Sequence, residues 1–111
     1  MRKILLSAQV HPAAQKAMEH MHAATIQDIE LAIKQHAWVI IGMAQNPVVK
    51  SAKKYLTAKN ISFHNLEYGS YFSLWNLRLA IKLWSGWPTY PQIFHKGILI
   101  GGFSDLKIYL P

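Results

Sequence analysis

The chain has 111 residues, the size of a single domain. Its hydrophobic content of 51% against only 15% charged residues excludes a disordered polypeptide. The formal net charge is +7, from 12 Lys and Arg residues against 5 Asp and Glu residues. Because the cations are spread along the chain without an arginine-rich run, we expect neither a nucleic-acid nor a membrane partner, and a surface that favours small anions.

Cysteine is absent from the sequence. This excludes disulfides, cysteine-zinc sites and thiol nucleophiles supplied by the chain itself. The six histidines lack the paired helical spacing of a zinc site, so we expect no bound metal. The apolar run after Met1 is too short for a signal peptide, and no stretch approaches the roughly 20 apolar residues that span a bilayer. These features predict a cytoplasmic protein.

Residues 1–37 are predicted to form a helical extension before a compact unit at residues 38–111. A first helix is expected at residues 12–19, with Pro12 in its first turn. Thr25 has the character of the N-cap of a second helix. Apolar residues then recur at three- and four-residue spacing, which predicts one face packed on the core, at Ile26, Ile29 and Ile33.

Residues 38–66 carry the pattern of a parallel strand–helix–strand unit. The continuous apolar run at residues 38–43 predicts a buried central strand. Asn46 and Pro47 are typical of the N-cap and first position of a helix, which we expect to end near Asn60. Alternating residues 61–66 predict the second strand. The helix is expected to bury an apolar stripe made of Val48, Ala52, Tyr55 and Leu56.

A further helix is predicted at residues 71–84. Its expected buried face consists of Leu74, Leu77, Ile81 and Trp84. Arg78 and Lys82 lie four residues apart on a different face, with no acidic residue four positions away to pair with them. Such a pair of cations is suited to hold a carboxylate, although ordinary solvated charge is the alternative interpretation.

Residues 87–105 predict a proline-flanked bend, a hairpin and a helix start. Strands are expected at residues 92–95 and 98–100, joined by the two-residue turn Lys96-Gly97. Gly101-Gly102 then allows a close backbone approach, and Ser104-Asp105 begins a helix. The free N–H groups at such a start attract anions.

The bend Trp-Pro-Thr-Tyr-Pro-Gln, the hairpin and the run Gly-Gly-Phe-Ser-Asp-Leu resemble the C-terminal half of a glutaredoxin, most closely of the monothiol class. The resemblance begins at about Trp38 and extends to Leu110. It implies an α/β thioredoxin fold with a four-stranded mixed sheet and flanking helices, preceded here by the helical extension. Family members are glutathione-dependent disulfide oxidoreductases.

The resemblance places Asn46 at the position of the family's nucleophilic cysteine and Val49 at that of the second cysteine. Neither side chain forms a thiolate, so this chain has no catalytic residue for thiol–disulfide exchange. The monothiol class also uses its cysteine to hold an iron–sulfur cluster, and we expect no cluster here. Ala44 stands where the family carries a lysine, which removes one charged contact.

The rest of the resemblance implies a weakened glutathione-binding groove. The glycine carboxylate of glutathione is assigned to Arg78 and Lys82. In the family, the backbone beside a cis proline binds the cysteine residue of glutathione. N–H groups at the start of the last helix bind its γ-glutamyl carboxylate. The implied glutathione-binding residues are Arg78, Lys82, Thr89, Tyr90, Pro91, Gly102, Phe103 and Ser104.

Three functions follow from these features. The first is a glutaredoxin-like protein that binds glutathione or glutathionylated protein without its own redox chemistry. The second is a protein-interaction domain that uses the fold and its basic surface without any ligand. The third is an enzyme of the glutathione-transferase type, in which Asn46 or Ser51 would donate a hydrogen bond to the sulfur of glutathione.

Overall fold

A computed structural model of the protein describes residues 11–14, 17, 22–70 and 73–111. Residues 12–14 and 17 are helical, in agreement with the predicted first helix, and the remainder of that helix lies outside the described residues. No helix in the described part of the chain has the length and apolar character needed to cross a membrane. Eight elements follow in chain order: α1 (Ala23–Gln35), β1 (Trp38–Gly42), α2 (Pro47–Ala58), β2 (His64–Glu67), α3 (Trp75–Ser85), β3 (Gln92–His95), β4 (Ile98–Gly101) and α4 (Phe103–Tyr109).

The four strands form one mixed sheet in the order β2-β1-β3-β4. β1 runs parallel to β2, as expected for strands joined by a helix, and antiparallel to β3. β3 and β4 form the predicted hairpin, whose turn residues Lys96 and Gly97 both have positive φ angles. Such angles match the right-handed twist of the two strands. The predicted four-stranded mixed sheet with flanking helices is therefore confirmed.

Alternate residues of β1 point to opposite faces of the sheet and enter two cores. Val39 and Ile41 pack with residues of α1 and α3, among them Ile29 and Ile81. Trp38 and Ile40 pack on the other face, with a group from α2, β3 and α4 made of Ala52, Leu56, Ile93 and Leu106. All five residues of β1 are buried, which confirms the central strand predicted from its continuous apolar run.

The apolar stripe predicted for α1 is confirmed. Ile29 is fully buried, and Ile26 and Ile33 are partly buried against the same core. The predicted cap is wrong, because α1 begins two residues before Thr25 and its N-cap is His22, which makes no side-chain cap hydrogen bond. The division of the chain at residue 37 stays a prediction.

Several element boundaries differ from the sequence-based expectation by one to three residues. β1 ends at Gly42, so Met43 is buried in the following loop, and α2 ends at Ala58 instead of near Asn60. β2 begins only at His64, three residues later than predicted, and its first pair in the sheet is His64 with Val39 of β1. Within residues 61–63, Ile61 and Phe63 nevertheless pack against the core.

Two predicted helix faces also need correction. Val48 is 45% exposed, and the buried stripe of α2 instead contains Val49, Ala52 and Leu56. Leu74 is exposed because it precedes α3 in the left-handed conformation, with φ 55°, and therefore does not continue the helical face. α3 begins at Trp75, so the predicted helix is wrong at residues 73 and 74, and residues 71 and 72 lie outside the described residues.

Gly42 lies where β1 meets the first turn of α2. A Cβ atom at Gly42 would lie 2.6 Å from Cγ1 of Val49, which is far inside normal contact distance. We therefore expect Gly42→Ala to lower the free energy of unfolding by about 1–3 kcal/mol through overpacking. Urea denaturation measures this cost. In a Val49→Ala background, where both Cγ atoms are gone, the cost should shrink. An equal cost in both backgrounds would contradict the close-contact explanation.

Candidate functional site

Apart from Arg78 and Lys82 of α3, the predicted site residues come from three chain segments that meet at the same end of the sheet. β1 leads into the loop before Asn46, the bend Thr89–Pro91 precedes β3, and β4 leads into Gly102. The register places Ile41 opposite Gln92, and Ile93 opposite Gly101. Because β1 and β4 both run antiparallel to β3, their C-terminal ends meet the N-terminal end of β3. We call this region, residues 44–46, 89–91 and 102–104, the sheet-end site.

Asn46 caps α2 as predicted. Its Oδ1 atom accepts hydrogen bonds from the N–H groups of Val48 at 2.9 Å and Val49 at 3.1 Å. Its main-chain oxygen accepts the N–H of Lys50 at 3.2 Å, and Pro47 has no N–H to donate. The whole first turn of α2 is thus satisfied by one asparagine.

Val49 is a core residue. Its side chain is 1% exposed and packs in the same cluster as Ile41 and Met43. The position that the resemblance equates with a second cysteine therefore faces the interior. Val48, one residue earlier, is 45% exposed, so its apolar side chain reaches the surface.

The bend before β3 is held by side-chain hydrogen bonds to main-chain carbonyls. The Tyr90–Pro91 peptide bond is cis, as the resemblance implied. The Tyr90 hydroxyl donates to the carbonyl of Arg78 at 2.6 Å. The amide Nε2 of Gln92, which is fully buried, donates to the carbonyl of Trp87 at 3.1 Å. Gln92 was not among the predicted site residues, although a polar residue within an apolar strand is a signal for such a role.

The start of α4 forms the third part of the sheet-end site. The N–H of Gly102 donates to Oδ2 of Asp105 at 3.0 Å. The helix begins at Phe103, one residue before the predicted start at Ser104. Gly101 has φ 124°, and a Cβ atom there would lie 2.7 Å from the same carboxylate oxygen. Within the described residues, the N–H groups of Phe103 and Ser104 donate no hydrogen bond, and both remain available to an acceptor.

Arg78 and Lys82 both lie near Tyr90 but differ in environment. Arg78 is only 8% exposed, and its Nη1 atom donates to the carbonyls of Tyr68, at 3.3 Å, and of Ser73. Lys82 is half-buried, and its ammonium lies 5.6 Å from the centre of the Tyr90 ring. Arg78 therefore fixes the connection between β2 and α3, and Lys82 is the more accessible cation. Their role toward a ligand carboxylate stays a prediction.

Burial raises the pKa of the Tyr90 hydroxyl well above its ordinary value. The positive charge of Arg78 lowers this pKa in part, and the nearby Tyr68 raises it further. Burial, with the carboxylate of Asp28, also raises the pKa of Tyr68. Because the pKa is higher in the folded protein, the neutral phenol contributes its full share to the free energy of unfolding below about pH 10. This contribution is lost as the pH rises further. The fold should therefore weaken in alkali.

Tyr90→Phe tests this alkaline effect. At neutral pH the variant should lose about 1 kcal/mol of unfolding free energy, because the hydrogen bond to the Arg78 carbonyl is missing. Between about pH 10 and pH 12, its stability should fall less steeply than that of the wild type, since one buried phenol no longer resists ionisation. Urea denaturation across this range measures both slopes. Equal slopes would show that Tyr90 does not carry the effect.

No protein-family model matches the chain. A protein from Dictyostelium discoideum described as "Glutaredoxin-like protein" is 46% identical over 88 residues, which cover 79% of this chain and 72% of that protein. The chain belongs to the glutaredoxin family. Glutaredoxin 4 from Buchnera aphidicola is 31% identical to this chain over 81 residues, which cover 71% of this chain and 76% of the Buchnera protein.

Human Glutaredoxin-3 is 44% identical to this glutaredoxin-family chain over a shorter stretch of 46 residues, 40% of the chain and 14% of the human protein. Among solved structures, a buckwheat glutaredoxin–glutathione complex has a TM-score of 0.68 at 16% identity, covering 81% of this chain and 82% of that one. Reduced glutaredoxin C1 from Populus tremula x tremuloides has a TM-score of 0.67 at 20% identity, with coverages of 83% and 79%. These structures show the thioredoxin fold of the family.

The residues at the sheet-end site do not fit an iron–sulfur cluster. Such clusters are held by cysteine thiolates, and the sequence contains no cysteine. Asn46, at the position predicted for the family's cysteine, has its oxygen occupied by two N–H groups of α2. No group of three or more potential metal ligands occurs among the described residues.

Proposed function

We propose that this glutaredoxin-family protein binds the glutathione moiety, free or attached to another protein, at the sheet-end site and does not itself perform thiol–disulfide exchange. The lack of exchange follows from the lack of any thiol in the chain. The observation that carries the binding proposal is the meeting of the Asn46 loop, the Tyr90–Pro91 bend and the start of α4 at one end of the sheet. The residue arrangement at that end supports an extended ligand that crosses all three segments.

Each part of the site suits one part of glutathione. The unoccupied N–H groups of Phe103 and Ser104 suit the γ-glutamyl carboxylate, with Gly102 leaving room for close approach. The backbone of Tyr90 suits the cysteine residue, in a bend shaped by Thr89 and Pro91. Lys82, whose ammonium lies near the Tyr90 ring, suits the glycine carboxylate, and the buried Arg78 holds the connection between β2 and α3.

The proposed affinity is weak. Ala44 provides no cation, and the loss of one charge-assisted contact costs about 1.5–3 kcal/mol where that contact is well formed. The solved buckwheat glutaredoxin–glutathione complex supports the ligand class, because its fold is shared. Membership of the monothiol class and a cytoplasmic location stay predictions.

Calorimetric titration with glutathione tests the proposal. Lys82→Ala should weaken binding by roughly three- to ten-fold, as expected for one partly screened charge. Lys54→Ala, which removes an exposed lysine of α2 away from the sheet-end site, is the matched control and should leave the dissociation constant within about two-fold. Absence of saturable heat with millimolar glutathione would reject the binding function.

A protein-interaction domain without a ligand is the second candidate, and the outer face of α3 favours it. Trp75, Leu79 and Leu83 follow at four-residue spacing, and all three are exposed, Trp75 by 62%. Exposed apolar stripes of this kind mark protein contacts. A chain that binds no glutathione but loses a protein partner on Trp75→Ser would belong to this second class.

The hydrogen bonds of Asn46 and Ser51 do not favour the glutathione-transferase interpretation. The Ser51 hydroxyl donates to the carbonyl of Pro47 at 3.0 Å, and the Asn46 oxygen already accepts two hydrogen bonds. The Asn46 amide nitrogen is the remaining donor of the pair. Turnover of chlorodinitrobenzene with glutathione above the uncatalysed rate would revive this interpretation.

A further inference from the structure

The bend that carries Tyr90 is held by side chains. In the described part of the chain, the main-chain groups of residues 87–90 make no hydrogen bond with another main-chain group. The N–H of Trp87 donates instead to the Ser85 hydroxyl at 3.0 Å, and the Trp87 carbonyl accepts Nε2 of Gln92 at 3.1 Å. A segment outside helices and strands keeps one conformation only through such contacts. The two side chains therefore hold the first residue of the bend from both sides.

Gln92 is a polar side chain in the interior of the protein. It is the first residue of β3 and is fully buried. Its Oε1 is buried without a hydrogen-bond partner among the described residues, so the bond to the Trp87 carbonyl is the one hydrogen bond that the amide makes there. A buried amide must regain in hydrogen bonds what it loses on leaving water, whereas a methionine of the same length would fill the space without that cost. Packing alone therefore does not account for glutamine at this position.

Tyr90 has main-chain groups that a ligand can bind. Its N–H and carbonyl make no hydrogen bond within the described residues. Free groups of this kind bind the main chain of an extended peptide, as an added strand does at a sheet edge. The Tyr90 side chain is held from α3, because its hydroxyl donates to the carbonyl of Arg78 at 2.6 Å. The bond from Gln92 to Trp87 is a separate link, which joins the first residue of β3 to the first residue of the bend.

We propose that Gln92 is a positioning residue of the sheet-end site, which acts on the ligand through Trp87 and the bend. By holding the Trp87 carbonyl, it keeps the N–H and carbonyl of Tyr90 in one orientation for the main chain of an extended peptide ligand. This inference rests on the proposed glutathione-binding function and adds a residue to it. A bend that is fixed before binding spares the ligand the entropy cost of ordering it. The interaction is binding alone and involves no covalent step.

Gln92→Met tests the inference, because methionine keeps the length of the side chain and removes both polar atoms. In calorimetric titration of the full chain, the dissociation constant for glutathione should rise roughly three- to ten-fold, since the ligand must then order the bend. The melting temperature should stay within about 4 °C of the wild-type value, because loss of the hydrogen bond is offset by removal of the buried Oε1. Without ligand, the amide NMR signals of Thr89 and Tyr90 should shift or broaden as the bend samples further conformations.

Ile93→Val is the matched control. Ile93 is the next residue of β3, is also fully buried, and packs in the core on the side of α2 and α4. Its truncation should lower the melting temperature by about 2–6 °C and leave the glutathione dissociation constant within about two-fold of wild type. Ser85→Ala removes the other side chain that holds Trp87, and should weaken glutathione binding by roughly two- to five-fold.

The outcomes separate the inference from the function on which it rests. If the wild type binds glutathione and Gln92→Met binds it equally well, the inference fails while the proposed function stands. An equal loss of affinity in Ile93→Val and Gln92→Met would also overturn the inference, because Gln92 would then act only through the stability of the fold. If Gln92→Met does not fold, unchanged affinity in Ser85→Ala overturns it. If the wild type does not bind glutathione, the proposed function is rejected and the inference with it.

Discussion

Asn46→Cys is expected to turn a chain without redox chemistry into one that removes glutathione from mixed disulfides. Removal of the asparagine oxygen would free the N–H groups of Val48 and Val49, which now donate to it at 2.9 and 3.1 Å. The two freed donors and the positive end of the helix dipole would then face the new sulfur. The pKa of that thiol should therefore lie below the ordinary cysteine value of about 8.5. Loss of the cap should cost only about 1 kcal/mol of stability.

Two measurements check this gain. The pH dependence of iodoacetamide alkylation gives the pKa of the thiol, and reduction of a glutathione mixed disulfide in the presence of excess glutathione gives the activity. Thr57→Cys is the matched control, an exposed position near the opposite end of the same helix. Its thiol should show an ordinary or raised pKa, because the dipole is reversed there. Identical alkylation profiles at the two positions, or a folded but inert Asn46→Cys, would contradict the assignment of position 46.

Val49→Cys is not expected to supply a second reactive thiol. Val49 is 1% exposed and lies against Gly42 in the core, so a sulfur there would be inaccessible to a disulfide partner. Adding Val49→Cys to Asn46→Cys should therefore leave the glutathione-dependent activity close to that of the single variant. A rise in activity with a protein disulfide substrate would show that position 49 is more accessible than the structure indicates.

Arg78→Ala is expected to lower the free energy of unfolding by about 2–4 kcal/mol, the largest stability effect at the site. Its guanidinium donates to the carbonyls of Tyr68 and Ser73, and hydrogen bonds from a charged donor contribute roughly 1.5–3 kcal/mol each. The side chain is nine-tenths buried, so truncation also removes packed atoms. A Cβ atom at Gly69 would lie 2.9 Å from the same guanidinium nitrogen, so little space separates the group from the loop.

Urea denaturation of Arg78→Ala and Lys82→Ala separates the two cations. Lys82 makes a cation–π contact with Tyr90 and, among the described residues, no hydrogen bond to the loop carbonyls, so its removal should cost less than about 1 kcal/mol. If Arg78→Ala were as mild as Lys82→Ala, the guanidinium would not be holding the connection between β2 and α3. Glutathione affinity, measured under conditions where both variants are folded, then reports ligand contacts separately from stability.

Local signals in the sequence were sufficient for much of the fold. The apolar run that became β1 is buried on both faces, and the Asn46-Pro47 pair begins α2 as predicted. The strand Gln92–His95 and the turn after it were predicted from β-forming residues and a glycine. In each case the physical cause lies within a few residues of the position, in a cap, a turn conformation or a continuous apolar surface.

The corrected features depend on contacts between distant parts of the chain. The pairing of β2 with β1 starts only at His64, opposite Val39, and no property of residues 61–66 reveals that register. The helical pattern of the sequence predicts an accessible Arg78 on the helix surface. In the structure its guanidinium is buried and donates to the carbonyls of Tyr68 and Ser73. The exposure of Val48 arises because Val49, one residue later, takes the core position against Gly42. Tertiary packing decided these positions over local preference.

The central claim is that a glutathione-binding groove persists without a redox cysteine, and amide NMR during a glutathione titration tests it most directly. The account predicts saturable shifts at Tyr90, Phe103 and Ser104, whose backbone groups lie at the sheet-end site, with smaller shifts in α3 near Lys82. Absence of saturable shifts with millimolar glutathione, or shifts confined to residues far from that end of the sheet, would contradict it.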